Sequence, residues 1–354
     1  MLNEIRKMNI LDFIKNFHNH PVLFVGTGFS LRYLKNSYSW NNLLETIDKK
    51  IHKTDIHYLD LKDEFGVNNY PVIAEEIEKS LSAFLKNNQA EEFKTVNEKF
   101  YQALRNGEQP SRLKIYISEL LSDLTKKEED KLQEEITLLK KARKNIGSII
   151  TTNYDLLIED IFKFNPLIAN NILLSNPYGS VYKIHGCITQ PNSIIIKDSD
   201  YKEFEKRYEL IRAQLLSIFI HNPIVFIGYS INDPNITAIL KTIFSYVEPN
   251  SEQANKIKDN FLLVEYEQGS NSEMVGEHDI ILENGSTIRI NKIKTDNYGI
   301  IYEGISNLML PVSVMDIRKV KNIVAEITSG ANIQVRITED LDELSNDAML
   351  LAIV

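Results

Sequence analysis

Cysteine is nearly absent from this sequence of 354 residues, in which Cys187 is the single example. One thiol excludes an intrachain disulfide and a zinc site built from several cysteines. The sequence also contains no His-Glu-x-x-His motif, and its carboxylates do not cluster at metal-ligand spacing, so it predicts no metal ion and no zinc. Because a single thiol is typical of a reducing compartment, we expect the protein to be cytoplasmic.

Long hydrophobic runs and an excess of positive charge are absent too. No apolar run approaches the roughly 18 to 20 residues of a membrane span, so we expect neither a signal peptide nor a membrane partner. The formal net charge is −9, from 40 Lys and Arg against 49 Asp and Glu. Because nucleic-acid binding needs a basic surface, this balance disfavours a protein that binds nucleic acid directly.

Four apolar runs, separated by helix-like segments, have the pattern of parallel strands that are buried on both faces. They are Val22–Val25, Ile149–Ile150, Val181–Ile184 and Ile224–Ile227. They predict an α/β fold, a Rossmann-like parallel sheet with helices on both faces. Between residues 40 and 145 the pattern changes to long, charged segments of helical period. We therefore predict a Rossmann domain from residues 1–39 and 146–305 and a helical insertion at 40–145. A small β-containing tail at 306–354 is predicted either to pack against the core or to serve assembly.

The ends of the predicted domain carry weaker signals. Residues 1–20 have the period of an amphipathic helix, and the sheet is predicted to end with the strand Phe261–Val264. Asn284-Gly285, between two further strand-like runs, predicts a hairpin at the edge of the sheet, since both turn residues accept a positive φ. Ile333–Ile337 predicts a strand in the tail.

A short polar cluster follows each of the four strand-like runs. Because ligands bind at the carboxyl ends of parallel strands, the four clusters are predicted to converge on one ligand. The clusters are Gly26-Thr27-Gly28-Phe29-Ser30, Thr151-Thr152-Asn153-Tyr154-Asp155, His185-Gly186, and Gly228-Tyr229-Ser230 continuing to Asp233.

Each cluster taken alone also has an ordinary structural explanation. The glycine loop lacks the third glycine of the dinucleotide fingerprint, so a plain strand-to-helix turn explains it equally well. Asn153 and Asp155 are residue types that cap helices, and Asp233 before Pro234 has the pattern of an N-cap. His185 is either a structural histidine or, at the carboxyl end of a strand, a group placed for proton transfer.

Taken together and in order, the four clusters resemble the motifs of the sirtuin-like superfamily, in particular the zinc-less bacterial members. Gly26–Ser30 is similar to the family's Gly-Ala-Gly-x-Ser loop, and Thr151–Asp155 to its Thr-Gln-Asn-x-Asp. His185-Gly186 resembles the catalytic His-Gly, and Gly228–Ser230 the Gly-Thr-Ser motif. The resemblance covers roughly residues 20 to 305, with the helical insertion at the position of the family's variable small domain.

The resemblance implies NAD as the ligand and a role for each cluster. Asn153 and His185 would be catalytic, with Asn153 beside the nicotinamide ribose and the attacking water and His185 as the base. Asp155 would recognise the nicotinamide carboxamide, and Phe29 would close over the reacting sugar. The phosphates and riboses would be held by the remaining residues of the set, Gly26, Thr27, Gly28, Ser30, Gly228, Ser230 and Asp233.

One departure from the family's pattern directs the functional prediction. The two cysteine pairs that hold zinc in protein-deacetylating sirtuins are absent after His185-Gly186, which disfavours a protein deacylase. Zinc-less relatives resemble NAD hydrolases of bacterial anti-phage defence that act as homo-oligomers, some with a HerA-type ATPase partner. We therefore expect a regulated NAD hydrolase that releases nicotinamide and ADP-ribose. The alternative is a non-catalytic sensor or scaffold that binds NAD or a related nucleotide.

Overall fold

In the part of the chain that the structure describes, nine strands form one sheet. The structure, a computed structural model, describes residues 7–314 apart from 88–90, 175–178, 208–216, 230–250 and 282–286, together with residues 316, 317 and 320. The strands are β1 (Met8–Asn9), β2 (Val22–Val25), β3 (Ile149–Thr151), β4 (Asn165–Ile168), β5 (Ser180–Lys183), β6 (Ile224–Ile227), β7 (Phe261–Tyr266), β8 (Met274–Ile281) and β9 (Thr287–Thr295). Their order across the sheet is β1-β8-β9-β7-β6-β2-β3-β5-β4.

The central strands are parallel and buried on both faces. Side chains alternate along a strand, so Leu23 and Val25 of β2 join the core on one face of the sheet, while Val22 and Phe24 join the core on the other. All four residues are at most 1% exposed. A strand that is buried on both faces requires a continuous apolar run. The predicted Rossmann-like α/β fold is confirmed.

The register of the central strands aligns their carboxyl ends. Val25 is paired with Thr151 of β3 on one side and with Ile227 of β6 on the other, and Thr151 is paired with Lys183 of β5. The residues that follow these positions therefore leave the sheet at one edge, on strands about 4.8 Å apart. This edge is where the polar clusters begin.

The edge beyond β7 differs from the prediction. The hairpin is confirmed, since β8 and β9 are antiparallel with Ile281 opposite Thr287, although Asn284-Gly285 lies outside the described residues. The prediction that the sheet ends at β7 is wrong, because β9 pairs with β7 in parallel. Ile290 and Ile293 of β9 are buried, so the ribbon extends the core instead of standing free at its side.

The amino-terminal helix is shorter than predicted. Helix α1 spans only Ile10–Lys15, and the Asn9 side chain caps it by accepting a hydrogen bond of 2.9 Å from the Leu11 amide. Met8 and Asn9 instead form β1, which pairs with β8 at the outer edge of the sheet. Residues 1–6 lie outside the described part of the chain.

Five of the remaining helices in the described chain pack around a core of their own. The remaining helices are α2 (Thr27–Tyr33), α3 (Trp40–His52), α4 (Ile56–Phe65), α5 (Tyr70–Asn87), α6 (Lys94–Arg105), α7 (Arg112–Ser122), α8 (Asp130–Ala142), α9 (Leu157–Phe162), α10 (Asp198–Arg207), α11 (Glu252–Asp259) and α12 (Tyr298–Ser306). Helices α3 to α7 share an apolar core of their own, which Tyr154, Ile194 and Ile196 join from the sheet side. None of the helices in the described ranges is long and apolar enough to span a bilayer.

Helix α8 packs with the sheet, although the sequence placed it in the insertion. Its residues Leu132, Ile136 and Leu139 belong to the core on one face of the sheet. On the same helix Glu135 forms a buried ion pair of 2.7 Å with Arg32, which also contacts Asp296 at 2.8 Å. The division of the chain at residue 145 stays a prediction, as does the assembly role of the tail, whose predicted strand lies outside the described residues.

Candidate active site

The two glycine loops touch through their backbones at the carboxyl edge of the sheet. The Gly28 amide donates a hydrogen bond of 2.9 Å to the Gly228 carbonyl, and the Gly26 amide donates one of 2.9 Å to Ile227. A Cβ atom on Gly26 would lie 2.7 Å from the Gly228 carbonyl oxygen, and one on Gly28 would lie 2.9 Å from it. Gly228 itself has a φ of +79°. Glycine is therefore needed here because any side chain would separate the two loops.

A buried polar network joins the first loop to the second cluster. Ser30 Oγ donates a hydrogen bond of 2.7 Å to Asp155 Oδ2 and accepts one of 2.9 Å from Asn153 Nδ2. Asn153 Nδ2 also donates to the Gly26 carbonyl at 2.9 Å. The other carboxylate oxygen, Asp155 Oδ1, accepts from the amide of Leu157 at the start of α9. The serine hydroxyl thus fixes both the amide and the carboxylate.

This network determines which way the Asn153 amide faces. Because the Gly26 carbonyl can only accept, the NH₂ group of Asn153 must point towards it, and the carbonyl oxygen Oδ1 points the other way. Oδ1 is buried and has no hydrogen-bond partner among the described residues. An unpaired buried acceptor costs about 1–3 kcal/mol, so the site holds an oxygen that is ready to accept a hydrogen bond from a ligand.

Asn153 and Asp155 line a cleft whose opposite wall comes from the helical region. The segment from Ser37 to Trp40 and Leu43 of α3 face them across the cleft, and Thr152 lies on the sheet side. Thr152 Oγ1 is held by the Tyr229 hydroxyl at 2.8 Å, which ties the second cluster to the loop after β6. The sequence did not point to this wall, since aromatic and serine residues before a helix are common without any ligand.

His185 follows β5, the strand next to β3, which Asn153 follows. Thr151 and Lys183 are paired across the two strands. Asn153 lies two residues after Thr151, and His185 lies two residues after Lys183, so they occupy matching positions. His185 is 5% exposed, and its ring meets Tyr201 edge-on, with centroids 5.5 Å apart. The residues that line the cleft include Asn153 but not His185.

Lys183 is a buried cation beneath the site that the sequence analysis did not select. It is 1% exposed, its Nζ lies 3.0 Å from Glu159, and the same atom donates to the backbone carbonyl of Asp155. The lysine thereby fixes the turn that presents Asp155. A charged residue inside an otherwise apolar strand, Val181–Ile184, was the signal that could have found it.

Of the predicted ligand-binding residues, Thr27, Ser30 and Asp155 line the cleft, whereas Gly26, Gly28, Gly228 and Phe29 are not among the residues that line it. Phe29 is fully buried in the core beside Tyr33, with ring centroids 4.8 Å apart, so closing over a sugar would require its ring to leave the core. Ser230 and Asp233 lie outside the described residues. Their roles stay predictions.

Burial of His185 gives the protein a pH-dependent stability. Loss of solvent around the imidazole lowers its pKa from 6.5 to about 4. The unfolded chain therefore binds this proton at a higher pH than the folded chain, and the free energy of unfolding rises with pH between these two values. We expect a contribution of about 1.4 kcal/mol per pH unit inside this window.

Urea unfolding of the wild type and of His185→Ala at several pH values within the window measures this contribution. The free energy of unfolding of the wild type should fall more steeply on acidification than that of the variant, because only the wild type contains His185. Other buried histidines such as His20 titrate in both proteins and do not contribute to the difference. Equal slopes would show that His185 is not the group responsible.

Comparison with known families bears on the same residues. Residues 147–274 match the family of SIR2-like domains. The matched range is therefore similar to a SIR2-like domain. It begins just before β3 and ends at the start of β8, so Asn153, Asp155, His185 and Gly228 lie within it. The loop Gly26–Ser30 precedes the matched range and contacts it through the hydrogen bonds described above.

Curated relatives of the SIR2-like domain include NAD hydrolases. The chain is 28% identical over 165 residues to the NAD(+) hydrolase ThsA of Enterococcus faecium, which is 42% of this chain and 34% of that protein. It is 24% identical over 177 residues to the NAD(+) hydrolase ThsA of Bacillus cereus (strain MSX-D12), 46% of this chain and 36% of the relative. It is 32% identical over 108 residues to the Defense-associated sirtuin 2 of Bacillus subtilis, 28% of this chain and 11% of the relative. The chain thus spans roughly a third or less of the length of these relatives. The predicted resemblance to the sirtuin-like superfamily is confirmed by the matched family and by these names.

Proposed function

We propose that this protein hydrolyses the nicotinamide glycosidic bond of NAD and releases nicotinamide and ADP-ribose. The observation that carries the proposal is the buried, unpaired Oδ1 of Asn153 in a cleft at the carboxyl edge of the sheet. The similarity to proteins named NAD(+) hydrolase supports the choice of substrate.

The reaction breaks the bond between the ribose C1′ and the nicotinamide nitrogen, and the bonding electrons go to the nitrogen. Because the leaving group is a cationic pyridinium, it departs as neutral nicotinamide and needs no acid to protonate it. A water oxygen forms the new bond to C1′ and loses one proton. Asn153 Oδ1 accepts a hydrogen bond from this water or from a ribose hydroxyl, which places the water against the reacting carbon.

His185 accepts the proton in this scheme, and Asp155 recognises the carboxamide. Burial keeps the imidazole neutral at pH 7, so it can take up a proton, but a pKa of about 4 also makes it a weak base. We therefore assign the larger part of the rate enhancement to positioning by Asn153. Asp155 retains acceptor capacity beside its two hydrogen bonds, since each carboxylate oxygen can accept more than one.

The glycine loops would hold the rest of the substrate. The phosphates and riboses would lie against the backbone of Gly26, Thr27 and Gly28 at the start of α2 and against Gly228, and Thr27 itself lines the cleft. Ser230 and Asp233 would contact the sugars and phosphates, and Phe29 would close over the reacting sugar only after its ring leaves the core. Ser30 acts mainly through the orientation of Asn153 and Asp155.

The biological setting is proposed from one relative and from the chemistry. A protein that consumes NAD without restraint would harm its own cell, so the activity must be triggered. The relative named Defense-associated sirtuin 2 supports a role in defence, here against phage. We propose a cytoplasmic homo-oligomer, with a HerA-type ATPase as the partner that the sequence resemblance implies.

The test is release of nicotinamide and ADP-ribose from NAD by the purified full chain, assayed alone and with any co-purifying protein. The wild type is compared with His185→Ala, and the matched control is His18→Ala, which removes an exposed histidine. NAD binding by all three proteins is measured by calorimetry. We expect the wild type and His18→Ala to release both products at similar rates, and His185→Ala to be slower by about 10²-fold or more while still binding NAD.

Two outcomes would contradict the proposal. Equal release by His185→Ala and the wild type would remove His185 from the mechanism. Tight NAD binding by the wild type with no release under any condition would replace the hydrolase with the nucleotide-binding sensor or scaffold.

A further inference from the structure

Three potential metal ligands meet where α3 turns into α4, inside the helical region. Asp48 and His52 are four residues apart on α3 and so lie on one face of it, and His57 lies in the first turn of α4. His57 Nδ1 is 2.8 Å from Asp48 Oδ1, and His52 Nε2 is 3.7 Å from the same oxygen. One ligand atom from each of the three residues lies within 4.8 Å of the others.

The carboxylate at the centre of this group is buried and incompletely paired. The Asp48 side chain is 0% exposed, and its Oδ2 has no hydrogen-bond partner among the described residues. His52 Nε2 is buried and unpartnered in the same sense. Leaving two such atoms unpaired costs about 1–3 kcal/mol each, a cost that a shared ligand would remove.

Nearby lysines do not neutralise this carboxylate. Lys49 Nζ contacts Glu45 at 2.6 Å, and Lys50 Nζ contacts Glu92 at 3.2 Å. Within the described residues, the ion-pair partners of Asp48 are the two histidines. A buried carboxylate needs a compensating positive charge, and within the described ranges the two imidazoles are the groups close enough to supply it.

The arrangement of the two imidazoles favours a metal ion over two protons as that charge. The rings of His52 and His57 are stacked, with centroids 3.7 Å apart and planes 22° from parallel. Two imidazolium ions in this contact would repel each other, so two protons are a poor source of that charge. Around a zinc ion with bonds of about 2.0 Å, ligand atoms are about 3.3 Å apart, which lies between the two distances measured from Asp48.

We propose that Asp48, His52 and His57 bind one divalent transition cation of the zinc class, which fastens α3 to α4. Two imidazoles and one carboxylate are a donor set that zinc accepts, and a water molecule completes the coordination. The site departs from the sequence prediction of no metal, which rested on cysteine pairs and on His-Glu-x-x-His. The spacing Asp-x₃-His-x₄-His crosses a helix boundary and matches neither pattern.

The experiment titrates the full-length, tag-free protein with Zn²⁺ against a chromophoric chelator. The variants are His57→Gln and His52→Gln, and the control is His18→Gln, which changes an exposed histidine elsewhere. We expect one tightly bound Zn²⁺ per chain for the wild type and for the control. Each of the two site variants should bind at least tenfold more weakly, since each loses one of three protein ligands.

Two further measurements identify the ligands and test the fastening of the helices. Co²⁺ bound to the wild type should show the visible absorption of a low-coordinate site, and this absorption should be lost in His57→Gln. Zn²⁺ should raise the unfolding temperature of the wild type but not that of the site variants. Because His52 and His57 are about one third exposed, both variants are expected to fold, and circular dichroism checks this.

The proposal is overturned if the wild type takes up no zinc, or if both site variants bind zinc as tightly as the wild type. None of these measurements involves NAD, so the metal site and the proposed hydrolase succeed or fail separately.

Discussion

Asn153→Ala is expected to lower the rate of nicotinamide release from NAD by about 10²–10³-fold while the protein stays folded. The variant removes Oδ1, a buried acceptor that has no hydrogen-bond partner among the described residues. It also deprives the Gly26 carbonyl and Ser30 Oγ of a donor, which should lower the free energy of unfolding by about 1–3 kcal/mol. A single-turnover assay with saturating NAD measures the effect.

The matched control is Asn192→Ala. Asn192 is exposed and hydrogen-bonds to Glu108 at 3.2 Å, so its loss removes an asparagine amide that takes no part in the network of Ser30. The control should retain the wild-type rate. If Asn153→Ala were within threefold of the wild type, positioning by Asn153 would not be the source of catalysis.

Gly186→Ala should lower the free energy of unfolding by about 3 kcal/mol or more. Gly186 has a φ of +89°, and a Cβ atom on it would lie 2.2 Å from the carbonyl oxygen of Ser193. That carbonyl belongs to the backbone, which cannot rotate aside as a side chain can. The Ile195 amide donates to the His185 carbonyl at 2.9 Å, so a shift of this segment would also disturb the strand end that carries the histidine.

Gly107→Ala separates the two contributions to this loss. Gly107 has a similar φ of +79°, but a Cβ atom on it would meet nothing within 4 Å. Its cost should therefore be the backbone term alone, about 1–2 kcal/mol. Urea unfolding of both variants measures the difference, and equal losses would show that the contact with Ser193 relaxes without cost.

The sheet was predictable where its strands are buried on both faces. Two of these strands are continuous apolar runs, Val22–Val25 and Ile224–Ile227, and their observed ends match the prediction. Such runs indicate burial because a water-exposed segment would contain polar residues. Strand β4 escaped detection because Asn165 and Pro166 begin it and only four residues take part. The parallel pairing of β9 with β7 could not be predicted either. A hairpin signal shows that two consecutive strands pair with each other, but it does not show which other strand of the sheet lies beside them.

The site was predictable in part, for a similar reason. Register places Asn153 and His185 at one edge of the sheet once the strands are known, so their proximity follows from the order of the motifs. The direction of the Asn153 amide does not follow, because it depends on Ser30 and on the Gly26 carbonyl, which come from a distant part of the chain. The wall formed by Tyr38 and Trp40 depends on how the helical region packs, and no local pattern encodes that.

The interlocked glycines also constrain how this protein can change over generations. A Cβ on Gly26 would meet the Gly228 carbonyl oxygen at 2.7 Å, and a Cβ on Gly228 would meet the Phe29 amide nitrogen at 2.5 Å. Neither loop can therefore accept a side chain while the other stays where it is, and no single substitution provides a tolerable intermediate. Changes in substrate preference must instead arise in the wall of the cleft that the helical region provides, where Tyr38, Ser39 and Trp40 can be substituted one at a time.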